Sequence, residues 1–356
     1  MNADTGVRSA ARRLGLKYLP PQTATIERRR HGKGFSYFEN GTLVRDPQVR
    51  ARILRLAIPP AWQDVRIARD PMAHIQALGR DEAGRTQYIY HELWEQLREQ
   101  RKVRRLMVFC KALPAIRRAV RRDLSCHAGS FELAVAACVA LIDVSAIRIG
   151  GQAHLRRTGA RGAVTLKQQH VQVTSDRIAL CFPGKGGKEH QAQVESKRLA
   201  GALRRLKRLG ATRLFCYHNT SGELTCITAR DINAYLSTIS GRRVSAKDFR
   251  TFHATALAGD RLAALAPEIS DRKRNSQIVA VVKEVAHLLG NTAAIARKSY
   301  VHDVVLTSFV NGQLERRWRR SGPVRRGLGP HEAALARFLE RVASRKPRRR
   351  HPSPSG

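Results

Sequence analysis

Up to about residue 95 the apolar positions fall in short runs that nearly alternate with polar ones and are broken by Gly and Pro: GKGFSYFENGTLV, VRIARD, HIQALGR and RTQYIYH. Alternation with a period of two half-buries a strand, and Asn40-Gly41 supplies a tight hairpin turn. A small β-rich domain over residues 1–95 follows. From HELWEQLREQRKVRRL the period lengthens to that of a helix and the charge rises, which makes residues 92–101 the expected hinge. FELAVAACVALIDVSAI, residues 131–147, is apolar on nearly every side, the pattern of a central buried helix. ESKRLAGALRRLKRL stops at Gly210, a natural residue beyond a helix C-terminus, and SAKDFRTFHATALA opens with Ser245 and Asp248 spaced as a capping box. AVTL, HVQVTSDRIALCF and EHQAQV interrupt the helices as three expected strands. Their turns fall at Thr174–Asp176 and at the glycine-rich GKGG, which puts Lys185 on a hairpin tip.

The pattern as a whole predicts an α+β chain: a β-rich N-terminal domain at 1–95, a mainly helical domain at 96–314 with a small three-stranded sheet, and a tail at 315–356. Residues 315–350 carry thirteen Lys or Arg and three Glu, and the chain ends KPRRRHPSPSG. That composition predicts a basic, weakly ordered tail. At 356 residues two domains of ordinary size can each bury a core.

Charge changes the picture more than length does. Against 42% hydrophobic residues stand 66 Lys and Arg and only 28 Asp and Glu, a net +38. Solubility requires far less, and a polyanion is the partner such a surface selects, with nucleic acid the leading choice. No amphipathic anchor, lipidation motif or long apolar run points to a membrane. MNADTGVRSAARRLGLKYLPP lacks the apolar core of a signal peptide, so a cytoplasmic, nucleoid-associated location is expected. The six cysteines, 110, 126, 138, 181, 216 and 226, form no CxxC pair or zinc-like cluster and are expected to be reduced. No metal or other cofactor is expected. HExxH and paired aspartates are missing, and Lys188 precedes Glu189 where a phosphate-binding Walker loop needs Ser or Thr.

Candidate chemistry enters with HLLGNTAAIARKSYVH, residues 287–302, where Tyr300 follows Arg297, Lys298 and Ser299. A phenol with a pKa near 10 is a poor nucleophile at neutral pH unless cations favour its phenolate. If its target is a phosphodiester, the transition state gathers charge on the non-bridging oxygens, which two guanidinium groups and a further donor can stabilise. The departing sugar oxygen needs a proton, for which a lysine among arginines is suited. The sequence offers Arg148 in SAIRIGG, Lys185 in FPGKGGKEH, Arg250 in AKDFRTFH and Asn291 before Tyr300. Taken singly each has a bland alternative: a helix-end charge, a solvated arginine, a cap, a core aromatic. Lys188 also rivals Lys185 on the same loop.

Together these residues resemble the type IB DNA topoisomerases of the small poxvirus-like and bacterial group, from about residue 28 to 312. LAIPPAWQDV, HIQALGRDEAGRTQYIYH and Trp94 resemble the family's DNA-facing β domain. IRIGG, VTLKQQHV, FPGKGGKEH, DINAYLSTISG, AKDFRTFHATALA and LLGNTAAIARKSYVH fall in family order. Arg148, Lys185, Arg250, Asn291 and Tyr300 are spaced by 37, 65, 41 and 9 residues. The resemblance implies a catalytic domain of the tyrosine recombinase/type IB topoisomerase type, a C-shaped clamp on duplex DNA, and a monomer that relaxes supercoils without ATP or metal. It implies that Tyr300 attacks the scissile phosphate and holds the 3′ end, that Arg148 and Arg250 stabilise the phosphorane-like state, that Lys185 protonates the 5′ oxygen and that Asn291 donates to a phosphate oxygen. Gln87, Tyr88 and Tyr90 match positions that touch DNA, and Lys188 and Lys247 are further DNA-binding candidates. Departures are Gly151 and His154 where the family commonly has Asn and Tyr, and Arg66 in place of its usual Trp.

Two rivals remain at this level. A tyrosine recombinase shares the fold and nearly the same active-site residues, but recombinases usually carry His three residues before the second arginine and His or Trp nine before the tyrosine, where this chain has Lys247 and Asn291. A non-catalytic basic DNA-binding protein on the same fold would keep the charge without needing all five groups.

Overall fold

The computed structural model describes residues 3–318 and 325–344. The chain divides into two compact units, residues 1–102 and 103–356.

In the first unit, α1 (Ala3–Arg13) precedes strands β1 (Ile26–His31), β2 (Gly34–Glu39) and β3 (Thr42–Leu43), then α2 (Pro47–Arg55), β4 (Gln63–Ile67), β5 (Ile75–Arg80) and β6 (Thr86–Tyr90). The strands form one antiparallel sheet in the order β3-β2-β1-β4-β5-β6. The expected hairpin is present: Glu39 faces Thr42 across Asn40 and Gly41, whose φ values of 50° and 81° suit a two-residue turn. Asp46 caps α2 by accepting from the N–H groups of Gln48 (2.9 Å) and Val49 (3.3 Å), with Pro47 at the first helical position. Ile53 of α2 packs with Ile26, Val65, Ile67 and Ala77 of the sheet. A second cluster joins Ala11, Leu16 and Trp94.

The segment expected as the hinge, 92–101, is helical, as its lengthened period implied. α3 runs unbroken from Glu92 to Asp123, and the division between units falls inside it. Its charged first turns support one another, Arg98 pairing with Glu95 at 2.8 Å and Lys102 with Glu99.

The second unit is built on α4 (Phe131–Ser145), capped by Ser130 and buried almost all round, as its apolar sequence requires. α5 (Gln152–Thr158) follows, then β7 (Val171–Val173), β8 (Arg177–Pro183) and β9 (Glu189–Glu195), a three-stranded antiparallel sheet. AVTL is not one of its strands. Residues 163–165 form a 3-10 turn because their N–H groups are spent elsewhere: Ala163 donates to Arg148 O (2.8 Å) and Val164 to Ile149 O (2.9 Å). The segment HVQVTSDRIALCF supplies two strands instead. α6 (Lys197–Lys207), the hairpin β10 (Cys216–His218) and β11 (Leu224–Cys226), α7 (Ala229–Ser240), α8 (Ala246–Ala263), α9 (Asp271–Leu289), α10 (Ala293–Ser299) and α11 (Asp303–Val310) complete the part expected to be helical. The β10–β11 hairpin was not expected, its strands being only three residues each. Cys216 and Cys226 sit opposite each other on it and are joined as a disulfide, which corrects the expectation that all six cysteines are reduced.

α8 is the axis of this unit. Ser245 and Asp248 form the expected capping box, and the same carboxylate takes Arg105 of α3 at 2.6 and 3.0 Å. Phe249 and Phe252 bury on Phe109, with ring centroids 4.9 and 5.4 Å away.

The expectation of a weakly ordered tail is corrected over its described part. α12 (Leu314–Arg317) leads to Trp318, and α13 (Pro330–Ala343) buries Ala334, Leu335, Phe338 and Leu339. Those residues make an apolar stripe at helical spacing that the surrounding arginines obscured. Gly259 of α8 leaves room for the Trp318 ring, where a Cβ would clash. An ion network fastens α13 from within. Arg117 of α3 donates to Asp143 of α4 (2.7 and 2.9 Å) and to Glu332 (2.7 and 2.8 Å), and His253 of α8 meets Asp143 at 3.0 Å. Burial pushes the Asp143 and Glu332 carboxyls up, but their hydrogen bonds to Arg117 and His253 outweigh it, and both are net lowered, Asp143 to about 2. Residues 345–356 lie outside the described part.

Truncating a buried aromatic tests whether α13 belongs to the core. Phe338→Ala is expected to cost about 3–5 kcal/mol in urea unfolding, whereas a solvated tail would give no measurable change.

Candidate active site

Arg148 is placed by a crossing of two backbone segments. After α4 the chain turns through Ala146 at φ 51°, and Gly150 at φ 74° lets residue 162 pass against it: a Cβ on Gly150 would stand 2.8 Å from Gly162 Cα. The bonds from Ala163 and Val164 lock this crossing. The glycines of IRIGG and RGAV are therefore fixed by contact, and Arg148 is presented beside them, donating to Asn291 Oδ1.

Asn291 ends the long α9. Gly290, at φ 58°, caps the helix, and the Asn291 N–H returns to Ala286 O at 2.9 Å, the closure that αL glycine permits. Its Nδ2 is buried without a hydrogen-bond partner among the described residues.

Arg250 lies on the inner face of α8, only 3% exposed. It donates to Ala146 O and, at 2.9 Å, to Leu289 O, and its guanidinium carbon stands 4.9 Å from the centre of the Tyr300 ring. Burial and the nearby Arg148 charge pull its pKa down to about 10. Tyr300 follows the last turn of α10, its N–H donating to Ala296 O (3.1 Å). Burial disfavours its phenolate, yet the charge and hydrogen bond of Arg250, then the charges of Arg148 and Lys247, leave the phenol below its ordinary pKa.

Lys185 and Lys188 sit on the turn between β8 and β9, closed by Gly184 N–H to Lys188 O at 2.8 Å, with Gly186 and Gly187 at φ 81° and 75°. Both are exposed, and both line a cleft of about 520 Å³ whose walls include Arg148, Arg250, Asn291 and His190. Tyr300 does not line that cleft and joins the group through Arg250. No cluster of three or more His, Cys, Asp or Glu is placed to hold a metal among the described residues.

A cationic cleft opens beside this phenol, and comparison with known proteins gives the family of the chain that carries it. Residues 92–317 match the family model described as eukaryotic DNA topoisomerase I, catalytic core. Residues 34–81 match the bacterial DNA topoisomerase IB N-terminal domain. The DNA topoisomerase 1B of Acanthamoeba polyphaga mimivirus is 30% identical over 284 residues, 78% of this chain and 84% of the relative. This chain belongs to the type IB DNA topoisomerases. The vaccinia virus (strain Copenhagen) DNA topoisomerase 1B is 22% identical over 231 residues, 64% of this chain and 70% of the relative. A solved XerH site-specific recombinase bound to difH is 16% identical with a TM-score of 0.34, over 61% of this chain and 54% of that one, too loose a likeness to bear on function.

Within this topoisomerase the five residues singled out in the sequence fall into one neighbourhood of the second unit. Lys247 lies one turn before Arg250 and acts on Tyr300 through its charge. Gln87, Tyr88 and Tyr90 are on β6, an edge strand of the first unit. Tyr88 and Tyr90 stack at 5.8 Å, and Arg98 stands 4.6 Å over Tyr90.

Two contributors went unassigned in the sequence. His190 on β9 packs 5.0 Å from Phe182, and its Nδ1 occupies the space where a Gly290 Cβ would fall, 2.5 Å away. Burial, then the charges of Arg250 and Arg148, lower its pKa and keep it neutral. Inward alternation along EHQAQV was the available signal. Thr255, fully buried on α8, donates to Tyr300 O (3.0 Å) and accepts from His302 N–H (3.3 Å), tethering the tyrosine's backbone to the helix that carries Arg250. Nothing in its sequence context marked it.

Gly150→Ala tests the crossing. The added methyl meets Gly162 at a positive φ, so Arg148 is displaced. If Arg148 is a transition-state donor, as the resemblance implies, single-turnover formation of the covalent DNA adduct is expected to fall on the order of 100-fold. An unchanged rate would show that the crossing does not place Arg148.

Proposed function

We propose that this topoisomerase breaks and rejoins one DNA strand with Tyr300 as nucleophile. The observation that carries the reading is the Arg250 guanidinium, held between two carbonyls and set against the Tyr300 ring beside Arg148 and Asn291. Tyr300 Oη attacks the scissile phosphorus as its proton passes to bulk water, forming a phosphotyrosyl bond to the 3′ end. The bond to the 5′ oxygen breaks, and that oxygen takes a proton from Lys185, with Lys188 close by on the same turn. Arg148, Arg250 and the Asn291 amide stabilise the charge on the non-bridging oxygens. Because the phosphodiester energy is retained in the tyrosyl ester, religation by the freed 5′ hydroxyl reverses every step, and neither ATP nor a metal is required. Rotation of the free end about the intact strand between the two steps removes supercoils of either sign.

The +38 net charge supports duplex DNA as the partner, through counterion release from phosphates. Gln87, Tyr88 and Tyr90 of β6, with Lys247 and Lys188, contact the DNA in this reading. All five reacting groups come from one chain, which supports a monomer, and the +38 net charge is in keeping with work on the nucleoid.

Plasmid relaxation without ATP and with chelator present tests the chemistry. Wild type is expected to relax and to leave a denaturant-resistant protein–DNA adduct. Tyr300→Phe is expected to do neither while still binding DNA, and Arg148→Ala and Arg250→Ala each to lose on the order of 100-fold in cleavage. Relaxation by Tyr300→Phe would exclude Tyr300 as the nucleophile. DNA affinity is expected to drop on the order of 10³ between about 50 and 200 mM salt. A flat dependence would remove phosphate contact as the source of binding.

A further inference from the structure

Although α4 is apolar on nearly every side, one of its faces is left open. Ala140 and Val144 lie there outside the core, and Val144 is 46% exposed. With Val120 and Leu124 from the end of α3, Val139 of α4 and Leu199 of α6, they line a hollow of about 320 Å³ on the second unit. It shares no lining residue with the cleft beside Arg148 and Arg250. A second hollow of about 520 Å³ continues it, sharing Arg121, Leu124, Lys197 and Arg198 and running on to Gly201 and Arg205. From Lys197 to Arg205 the groove follows α6 for about 12 Å, at 1.5 Å per residue. Arg205 fixes its wall by donating to Leu124 O and, at 2.6 Å, to Cys126 O, which ties α6 to the chain leaving α3.

The rim is cationic and uncompensated. Arg121, Lys197 and Arg198 are exposed, and none of the three has a carboxylate partner among the described residues. The acids close to them in sequence or across the groove are engaged: Asp143 by Arg117 (2.7 and 2.9 Å), Asp123 by Arg122 and the Tyr235 hydroxyl (both 2.6 Å), and Glu195 by Arg177 (3.3 Å). Lys197 and Arg198 also stand in the first turn of α6, which holds no acid, although the positive end of a helix favours one there. These cations do not stabilise the helix that carries them. An apolar floor inside a ring of unpaired cations is complementary to a chain that carries carboxylates around aliphatic side chains. A DNA backbone would engage the cations and leave the floor uncovered.

We propose that this groove docks an acidic segment of a partner protein, its aliphatic side chains seated around Val144 and its carboxylates on Arg121, Lys197 and Arg198. Such docking is separate from strand breakage and does not depend on Tyr300 as nucleophile.

The full chain is titrated against a fluorescein-labelled acidic peptide of Glu and Leu, read by fluorescence anisotropy. A Glu and Ser peptide of equal charge and a short DNA duplex are the comparison probes. The Glu and Leu peptide is expected to bind saturably and about tenfold tighter than the Glu and Ser peptide, the gain that burial of an aliphatic side chain supplies. Val144→Glu, and the double variant Lys197→Glu with Arg198→Glu, are each expected to weaken it about tenfold or more. Arg242→Glu with Arg243→Glu makes the same change of charge as that double variant, at exposed residues outside the groove, and is expected to weaken it far less. The substituted positions are exposed, and Glu in the first turn of α6 favours the helix, so a loss of binding is not a loss of folding. Equal binding of the Leu and Ser peptides, a groove variant no weaker than the Arg242 and Arg243 control, or no saturable binding overturns the proposal. So does an affinity for duplex DNA that falls with the groove variants as steeply as the peptide affinity, since the groove is then a nucleic-acid surface.

Discussion

A guanidinium buried without a carboxylate is the constraint on which the site depends. Burying an unpaired cation is costly, and Arg250 offsets that cost only by reaching the carbonyls of Ala146 and Leu289 and the ring of Tyr300. Those three contacts lie at the ends of α4, α9 and α10, the same ends that present Arg148, Asn291 and Tyr300. One side chain thus references three helix termini to α8. Thr255, further along that helix, repeats the tie through the Tyr300 carbonyl. The groups spread over 152 residues of sequence are held in register by a single helix, and the charge that holds them is left without a counter-ion.

That absence has a meaning because acids are used elsewhere. Arg117 is matched by Asp143 and Glu332, Arg105 by Asp248, and Arg325 by Glu340 at 2.6 Å. These arginines serve packing. Among the described residues neither Arg148 nor Arg250 has an ion pair with a carboxylate. A missing carboxylate is not enough by itself, since Arg213 also donates only to carbonyls, those of Val164 and Ile227. Arg213, however, does not line the cleft, whereas Arg148 and Arg250 do, beside the buried Asn291 Nδ2 that lacks a partner. Uncompensated donors that open on one cleft are what an anionic ligand requires.

The legible part of the molecule was the part in which local chemistry and tertiary position agree. Asn40-Gly41 turns because those residues tolerate positive φ, and α4 is buried because its sequence has no polar face. Type, spacing and family resemblance named five candidate site residues, of which the structure brings four to one cleft and sets Tyr300 against Arg250. AVTL failed because alternation describes a half-buried segment and not its partner: its N–H groups bond to Arg148 and Ile149, far away in sequence. α13 failed for the opposite reason, since the charge of its surroundings hid a stripe of four apolar residues. His190 and Thr255 act by contact with Gly290 and the Tyr300 backbone, and a pairing across such separations leaves no local mark. The Cys216–Cys226 bond is of the same kind, set by a register between strands too short to announce themselves.

The electrostatics of the site also constrain the order of events. With Arg250, Arg148 and Lys247 directed at it, the Tyr300 phenol is easier to ionise than a free tyrosine. In the proposed mechanism the same cations hold the scissile phosphate, and once a phosphate diester shares them their pull on the phenol weakens. A phenolate formed in advance would also face that phosphate as a like charge. Deprotonation is therefore favoured as the new bond to phosphorus forms, when the phenolic oxygen's charge passes into the phosphorane and both demands on Arg148 and Arg250 become one. In that mechanism the cationic neighbours serve less to store a nucleophile than to stabilise the shared charge of attack, and the tyrosine stays inert beside DNA until a phosphate is correctly seated.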